Sequence, residues 1–493
     1  MKNHIIILLL LMLTGNVQSA NYYWNPDLMV SNNWSDLNNW YTTSGGNVHP
    51  SVLPGPNDDV YFDGNTVDPF MTIDINAQCH SFIFNGPQNY SPVIFFDFGT
   101  LLEIYGSFLP DDNLELYSAR FVFKSTNSGN VVDLFAPTTN SWDVQVEFNG
   151  SGGEWTFTDD GYVPYGAISL FEGKLNTNGF NIYTLCFGLY GNGMKEANLS
   201  TSHIYTKDGG FLINGINNTV DADSAFIYLM DGGPAISFNG GDGIHYHYLE
   251  SDTLAGAMII AGTNCEIDEM IHYGNVQELI LNGIIHKAIF KGGGNLGYDM
   301  ASGLEYDTLI LDNTVGWFWE NEYNLGCDSI FVNDVFQVYS GLSDTITITE
   351  YLTSNFNNIL LLPDDTICLD YVKIKGIHAV GPGNYYAGGN SVDQGGNSGW
   401  IFTACGEVNG VEDVFENSDF EIYPNPTHGY SWIKFQEGIS GHIIVRDVTG
   451  KIIYSERGLS RERELNLFNF PSGLYLIQLE TNKGILSTKL IKE

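Results

Sequence analysis

Two histidines stand two residues apart in the segment "GGDGIHYHYLE", which begins at Gly240. Residues i and i+2 of an extended strand point to the same side, so the rings of His245 and His247 are expected to share one face. Asp242 precedes them. Two imidazoles on one face can bind zinc or copper once a third ligand completes the set. The segment predicts either a metal site at these three residues or, as the interpretation we favour, histidines at a surface or corner.

The loop "NSVDQGGNSGW" places Asp393 and Asn397 four residues apart among glycines. Their side-chain oxygens are ligands of the kind that calcium prefers. The loop lacks the DxDxDG order of an established calcium loop, which favours a capping turn closed by Trp400. The loop therefore suggests calcium as a cofactor, with the capping turn as its alternative.

Signatures of nucleophilic and metal-dependent hydrolysis are absent, because the chain contains neither GxSxG nor HExxH. Glycoside hydrolysis needs two carboxylates about 5 to 10 Å apart in space, a separation that sequence cannot select among so many acids. Lys373 and Lys375 share a strand face by their spacing, and such a pair is usually solvated. No catalytic residue is predicted.

The elements that position these residues are short strands. Aromatic residues make up 14% of the chain and there are 56 glycines, a composition that favours strands and turns over helices. Alternating phrases recur at Leu102, Leu114 and Ile168 ("LEIYGSF", "LELYSARF", "ISLFEGKL"), and "LNTNGFNI" and "FNGGDGI" suit tight corners. The chain is predicted to be all-β, with a parallel β-helix over residues 76–404. A pair of sandwiches is the alternative.

The region before this repeat, residues 21–75, is rich in Asn and contains Trp24, Trp34 and Trp40. Exposed tryptophans can stack on sugar rings. We favour packing over the end of a core, because large aromatic side chains dominate cores and caps. The region is therefore predicted to be an N-terminal cap with one strand, Asp59 to Phe62.

The last eighty residues alternate more cleanly. "GHIIVRDVTGKIIYSERG" and "GLYLIQLETNKGILSTKLIKE" read as two hairpins, and "FEIYPNPT" as an entry strand that Pro424 and Pro426 end, since proline lacks an amide donor. About seven strands in this length are typical of a small sandwich. We predict an immunoglobulin-like β-sandwich at residues 419–493, after a linker at 405–418.

The tail resembles the C-terminal sorting domain of proteins exported by type IX secretion. The resemblance rests on "YPNPTHG", "VRDVTGKIIY", "FPSGLYLIQLE" and "STKLIKE" in this order. It implies the type IX secretion machinery as partner, passage through the periplasm and, in many members, removal of the tail with attachment to surface lipopolysaccharide. The motif residues are Tyr423, Pro424, Asn425, Pro426, Gly429, Asp447, Gly450, Lys451, Gly473, Tyr475 and Lys489.

The segment before the tail also resembles a family, the large β-helix-type surface proteins of gliding Gram-negative bacteria. The resemblance is carried by "WTFTDDGY", "LFEGKLNTNGFNI", "AGTNCEIDEM" and "YYAGGNSVDQGGNSGWIFTAC". It implies a β-helix and no particular activity. Galacturonan hydrolases of that fold use Gly-His-Gly and Arg-x-Lys segments, and neither occurs here.

Residues 1–20 have a lysine, an apolar run and the ending Ser19-Ala20, the pattern of a secretory signal peptide. No later segment is apolar for the roughly 20 residues that a transmembrane helix needs. Six cysteines in an exported chain permit disulfides, and Cys368 and Cys405 are expected to join the last rung; without a CxxC pair, structural zinc is not expected.

Charge separates the two regions. Residues 21–412 hold 47 acidic and 9 basic side chains, and residues 413–493 hold 11 and 9. The acidic region should repel nucleic acid and anionic lipid. The first hypothesis is a secreted or cell-surface protein whose β-helix serves adhesion, matrix or glycan binding without catalysis. The alternative is a polysaccharide-degrading hydrolase or lyase on the same scaffold.

Overall fold

The computed structural model forms two compact units, which divide between Cys405 and Gly406. It describes residues 19–26, 31–66, 68, 70–85, 92–134, 143–230, 236–251, 257–274, 276–281, 283–300, 304–312, 322–341, 345–350, 358–405, 420–435, 441–447, 451–457, 462–481 and 484–493. The predicted signal peptide up to residue 18 and the predicted linker from residue 406 onward lie outside these ranges. We call the first unit the solenoid unit and the second the C-terminal unit.

The solenoid unit is a β-solenoid of about 12 turns. Its first half contains the strands β1 (Asn21–Trp24), β2 (Trp40–Tyr41), β3 (Asp59–Asp63), β4 (Phe70–Ile73), β5 (Ala77–Cys79), β6 (Phe82–Asn85), β7 (Val93–Phe96), β8 (Leu102–Ile104), β9 (Phe108–Leu109), β10 (Glu115–Tyr117), β11 (Arg120–Phe123), β12 (Asn130–Val132), β13 (Gln145–Phe157), β14 (Gly161–Asn176), β15 (Ile182–Leu189), β16 (Lys195–Asn198), β17 (His203–Ile213) and β18 (Asn218–Leu229). One turn of 3-10 helix, Leu37–Asn39, precedes β2.

The second half continues in the same way. Its strands are β19 (Ile236–Asn239), β20 (His245–Ser251), β21 (Ala257–Ala261), β22 (Glu266–His272), β23 (Val276–Leu281), β24 (Ile284–Phe290), β25 (Gly294–Met300), β26 (Leu304–Asp312), β27 (Glu322–Cys327), β28 (Ser329–Tyr339), β29 (Ile346–Glu350), β30 (Ile359–Leu361), β31 (Ile367–Cys368), β32 (Val372–Lys375), β33 (His378–Val380), β34 (Tyr385–Tyr386), β35 (Val392–Asp393) and β36 (Trp400–Ile401).

Parallel pairing from rung to rung builds the core of the solenoid unit. Among its described strands, β1 with β2 is the one antiparallel pair. Side chains of equivalent position stack on the inside, and Ile182, Ile204 and Ile227 are successive buried partners. Leu249 continues this column. Each such side chain gains about 1.5–3 kcal/mol by leaving water, so repetition of the register adds stability rung by rung.

Corners between strands fall where small residues permit a left-handed backbone. In "LNTNGFNI", Asn178 and Gly179 have φ of 55° and 80°. In "FNGGDGI", Gly241 and Gly243 have φ of 69° and 65°. Glycine adopts these angles without a Cβ clash and asparagine tolerates them, which explains why these segments turn.

The three N-terminal tryptophans pack into the core. Trp24, Trp34 and Trp40 are at most 1% exposed, and the Trp40 indole Nε1 donates to the Trp34 carbonyl at 2.9 Å. Strand β3 forms as predicted. The structure adds β1, which pairs in parallel with β3, so this region is hydrogen-bonded to the first rung.

The C-terminal unit contains β37 (Phe420–Tyr423), β38 (Tyr430–Phe435), β39 (Gly441–Arg446), β40 (Ile452–Arg457), β41 (Glu462–Asn466), β42 (Gly473–Thr481) and β43 (Gly484–Lys492). One sheet has the order β37-β38-β41 and the other β40-β39-β42-β43, both antiparallel. Their inner faces share a cluster that includes Ile433, Val445, Leu465 and Ile477. The all-β prediction, with a solenoid followed by a small sandwich, is confirmed.

Candidate functional site

Asn425 joins the entry segment of the C-terminal unit to its last strand. Its side-chain Nδ2 donates to the Lys489 carbonyl at 2.7 Å, and its Oδ1 accepts from the Ile491 amide at 2.9 Å. Strand β37 ends before Pro424, and the peptide bonds preceding Pro424 and Pro426 are both cis. The asparagine side chain thus makes the contacts to β43 that a strand backbone would otherwise make.

Thr427 continues this connection with backbone contacts. Its amide donates to the Ile491 carbonyl at 2.8 Å, and its own carbonyl accepts from the Glu493 amide at 2.9 Å. Nearby, the Ser431 hydroxyl donates to the Pro424 carbonyl at 2.7 Å. The segment between β37 and β38 is therefore held against the final residues of the chain.

Lys492 closes the same region from the inside. The residue is 8% exposed, and its ammonium donates to the Phe468 carbonyl at 3.1 Å and to the Phe470 carbonyl. Gly429 lies beside this loop with φ of 145°, and a Cβ there would meet the Phe468 Cα at 3.2 Å. Buried cations are tolerated when backbone oxygens satisfy them, as here.

The remaining motif residues stabilise turns. Asp447 accepts from the Lys451 amide at 3.1 Å through Oδ1, and its own amide donates to the Lys451 carbonyl at 3.0 Å. Tyr475 is 4% exposed, and its hydroxyl donates to the Pro471 carbonyl at 2.6 Å. Gly473 begins β42 beside it. Gly450 lies outside the described residues.

The histidine pair of β20 lies on a ladder of charges that crosses the rungs. His245 contacts Asp268 through Nε2 at 2.8 Å and Asp223 through Nδ1 at 3.0 Å. His247 contacts the other oxygen of Asp268 at 3.1 Å. His286 and Asp307 repeat the pairing two rungs further, at 2.5 Å. The two imidazoles do share a face, and the carboxylates beside them come from neighbouring rungs.

These contacts shift the pKa values of three residues in the ladder. Partial burial lowers the pKa of His245, and the hydrogen bonds to Asp268 and Asp223 raise it by a larger amount. The net pKa of His245 is therefore above its usual value. Burial raises the pKa of Asp268, yet the hydrogen bonds from the two histidines outweigh it and the net pKa is lowered. Hydrogen bonds from His286 and Asn333 lower the pKa of Asp307. The contacts therefore favour protonated His245 beside ionised Asp268.

His245→Gln is expected to destabilise the protein most in mildly acidic solution. A raised histidine pKa stabilises the fold below its unfolded value of about 6.5 and loses effect as pH rises through the folded value. The lowered Asp268 pKa stabilises the fold above about 3.9 and loses effect as pH falls. Thermal unfolding should thus show a larger loss near pH 5 than near pH 8, of below about 1 kcal/mol because the pair is partly solvated.

The matched control is the same comparison at high salt. Screening shortens the reach of charges to about 3 Å at 1 M ionic strength, so the pH 5 difference should shrink there. An equal loss at both pH values, unaffected by salt, would contradict a charge-based ladder.

Asp242 stands apart from the histidine ladder, in a groove at a solenoid corner. Its Oδ1 accepts from the Thr263 amide at 2.8 Å. Within the described part of the chain, no group of three or more His, Cys, Asp or Glu side chains is arranged to hold a metal ion. The metal assignment of His245, His247 and Asp242 stays a prediction.

The groove around Asp242 is rich in asparagine. It is an open groove of about 570 Å³ between the turn at residues 213–218 and the corners at residues 239–244 and 262–263. Asn239 donates to the Asn214 side-chain oxygen at 2.6 Å, and Asn217 donates to the Asn192 carbonyl at 2.9 Å. The buried Oδ1 of Asn218 has no hydrogen-bond partner among the described residues. The groove wall thus offers amide donors and acceptors beside apolar Ile216, which is 61% exposed.

The loop that was proposed as a calcium site has a capping geometry. Asp393 Oδ1 accepts from the Gly395 amide at 2.8 Å and from Asn397 Nδ2 at 2.6 Å. Asn397 also donates to the Ile374 carbonyl and accepts from the Ile377 amide. These contacts hold the turn in place, and calcium there stays a prediction.

A disulfide joins Cys368 to Cys405, with the two Cα atoms 5.4 Å apart. Both cysteines line a second groove with Asp370 and Asn390, at the last rungs of the solenoid unit. The bond ties strand β31 to the final described residue before the unit boundary. It lies where fraying of the last rung would begin.

Comparison with known families decides the role of the C-terminal unit. Residues 421–493 match the family model described as the secretion system C-terminal sorting domain. The C-terminal unit is a type IX sorting domain. Every motif residue predicted from sequence lies within the matched segment. The sorting domain indicates export to the cell surface or the medium and interaction with the type IX secretion machinery.

No curated protein and no solved structure matches the chain. The described residues contain no helix long and apolar enough to cross a membrane. The assignment of the sorting domain therefore rests on the family match together with its two-sheet structure.

Sequence reasoning missed three residues of the sorting domain. Thr427, Ser431 and Lys492 are buried and polar. Thr427 and Ser431 take part in the backbone contacts around the proline segment, and Lys492 donates to the carbonyls of Phe468 and Phe470. A lysine next to the end of a chain is ordinarily solvated, so no local signal marks Lys492. The one usable hint is alternation, since Leu490 and Lys492 fall on the same inward face of β43.

Proposed function

We propose that this protein is exported through the periplasm by type IX secretion and that its solenoid unit binds a glycan without catalysis. Residues 1–20 serve as the signal peptide in this proposal. The observation that carries it is the asparagine groove at residues 213–263, where amide groups line an open corner. Adhesion or matrix attachment is the role that such binding would have at the cell exterior.

Asparagine side chains suit sugar hydroxyls because each amide offers donors and an acceptor. Asn214, Asn217 and Asn239 line the groove and come from two successive rungs. Ile216 adds an exposed apolar surface for the face of a sugar ring.

The acids of the two open grooves argue for binding over hydrolysis. Among the residues that line the asparagine groove, Asp242 is the single carboxylate. Among those that line the second groove, beside the Cys368–Cys405 disulfide, the single carboxylate is Asp370. Both accept backbone amides, from Thr263 and Asn390. Hydrolysis of a glycosidic bond uses a pair of carboxylates across the scissile bond, so one engaged carboxylate is unsuited to it.

The charge of the solenoid unit restricts the glycan. With 47 acidic and 9 basic residues between positions 21 and 412, the unit repels polyanions at low and moderate salt. We therefore propose a neutral polysaccharide as ligand. Binding of the solenoid unit to lipopolysaccharide or nucleic acid is disfavoured by the same repulsion.

The test compares binding and turnover on neutral polymers (xylan, mannan and β-glucan) and on anionic pectin and alginate. Asn239→Leu should weaken binding to a neutral polymer by about tenfold, because the bound sugar loses one hydrogen bond from the Asn239 side chain. Asn390→Leu, in the other groove, is the control and should bind normally. Thermal unfolding of both variants checks that the solenoid unit remains folded.

Product release separates the proposal from the alternative of a polysaccharide-degrading enzyme. We expect no reducing ends and no unsaturated products from any of the five polymers. Release that disappears in Asp242→Asn or Asp370→Asn would establish the enzyme and overturn the binding proposal.

A further inference from the structure

One outer surface of the sorting domain carries exposed aliphatic side chains. On the sheet β40-β39-β42-β43, Ile452, Leu474, Leu476 and Ile491 are 48%, 42%, 38% and 47% exposed. Their neighbours Tyr475, Ile477 and Leu490 point inward and are buried in the sandwich core. The exposed side chains are therefore not a continuation of the core. We call this surface the aliphatic face.

The strand register places cations between these side chains. Ile452 pairs with Arg446, Arg446 with Leu476, and Leu476 with Lys489. Cross-strand partners lie on the same side of a sheet about 4.5–5.5 Å apart, so one row alternates aliphatic and cationic groups over four strands. Leu474 and Ile491 form a second pair beside it. Lys451, also exposed, precedes Ile452.

The outer surface of the other sheet has the opposite character. Tyr423, Tyr430 and Trp432 are 40–47% exposed there. Glu462 and Glu464 lie opposite Lys434 and Trp432, and the Tyr423 hydroxyl donates to Glu462. We call this surface the aromatic face. The sorting domain thus has one cationic aliphatic face and one aromatic face with carboxylates.

We propose that the aliphatic face is the surface that docks on the type IX secretion machinery and that its binding site there is apolar and acidic. The proposal rests on the export role of the sorting domain. Contiguous exposed apolar groups in a small domain mark an interaction site, and the exposed Lys489 among them favours a partner surface with anionic groups. Lys489 also belongs to the sorting motif, which places one motif cation on this face.

A lipid surface is the other anionic apolar partner, and the charge of the solenoid unit argues against it. An acidic patch on a protein is local, and its field decays within about 8–10 Å at physiological salt. An anionic membrane extends in every direction, so it would also repel the 47 acidic residues that the chain carries between positions 21 and 412. We therefore propose a protein, and not a lipid surface, as the partner of the aliphatic face.

The test measures the exported fraction of the full chain in a host with a type IX system. Leu476→Ser and Lys489→Glu alter the aliphatic face, and Trp432→Ser and Lys434→Glu make matched changes on the aromatic face. We expect the first pair to lower the exported fraction at least about tenfold, as for the loss of an interface anchor. The second pair should stay within about twofold of the parent chain, since residues outside an interface core contribute little. Thermal unfolding of each purified chain must show a folded sorting domain.

Loss of export in the aromatic-face variants alone, or in neither pair, would overturn the proposal. A chain truncated after Cys405 distinguishes a wrong docking face from a wrong export role. If the truncated chain is exported, the sorting domain does not direct export. If the truncated chain is retained while all four variants are exported, only the assignment of the docking face is wrong. Sedimentation of the full chain with vesicles of phosphatidylglycerol is expected to equal that with phosphatidylcholine. Binding to phosphatidylglycerol that Lys489→Glu abolishes would assign the face to a lipid surface.

Discussion

Lys195→Met is expected to lower the local stability of the solenoid unit by about 3 kcal/mol, because three backbone carbonyl groups lose the ammonium group to which they are hydrogen-bonded. Lys195 is 2% exposed. Its ammonium donates to the Gly191, Gly193 and Ile216 carbonyls at 3.0, 2.6 and 2.8 Å. Burial lowers the pKa of Lys195, and Glu172 opposes that shift. One side chain thus holds together the turns of two successive rungs.

Hydrogen exchange of the full chain measures the effect where it arises. The Lys195 amide donates to the Asn217 carbonyl, and the Ile216 amide donates to the Gly191 carbonyl. These amides should exchange roughly a hundredfold faster in the variant, the equivalent of about 3 kcal/mol in local opening. Methionine keeps the apolar length of lysine, so the change isolates the ammonium.

The matched control is Lys174→Met on the neighbouring strand. Lys174 pairs with Glu196 at 2.7 Å, and its side chain is 54% exposed. An exposed ion pair contributes at most about 1 kcal/mol, so exchange around it should change little. Equal protection in the Lys195 and Lys174 variants would show that the three carbonyls do not depend on the ammonium.

Local chemistry made much of the fold predictable. Alternation identified the strands of the solenoid, and "LNTNGFNI" identified a corner because Asn178 and Gly179 tolerate positive φ. Two prolines identified the end of β37. In each case the determining interaction lies within a few residues, so the sequence contains it directly.

Contacts between rungs were not predictable in the same way. His245 and His247 were expected on one face, but Asp268 and Asp223, their partners, come from neighbouring rungs about twenty residues away. Bulges shift the register at these positions, as between Ala222 and Phe226. A repeat with variable bulges does not reveal from sequence which acids will face which histidines.

Buried lysines were missed for a similar reason. Lys195 and Lys492 both cap backbone carbonyls of turns that are distant in sequence or shaped by other strands. Nothing in "GNGMKEAN" or "STKLIKE" separates them from solvated lysines. Their role depends on where the turns meet, which only the folded chain defines.

A chain that ends at Cys405 is expected to fold its solenoid unit and to fail in export. The division between the two units follows Cys405, and among the described residues the solenoid core cluster contains none beyond it. The truncation keeps the disulfide to Cys368. Because residues 421–493 match the sorting domain, their removal takes away what the type IX machinery recognises.

The folding control is the unfolding transition of the truncated solenoid unit. Its buried tryptophans Trp24, Trp34, Trp40 and Trp155 report on the core through fluorescence. The transition should coincide with that of the solenoid unit in the full chain, since separate cores unfold as separate units. A large shift would mean that loss of export reflects misfolding.

The location of the truncated chain tests the central claim, that residues 421–493 are the export address of a separately folded solenoid. Surface protease digestion and fractionation of cells expressing the full and truncated chains make the measurement. We expect the full chain on the surface or in the medium and the truncated chain, folded, retained inside the cell envelope. Equal amounts of both chains outside the cell would contradict the account.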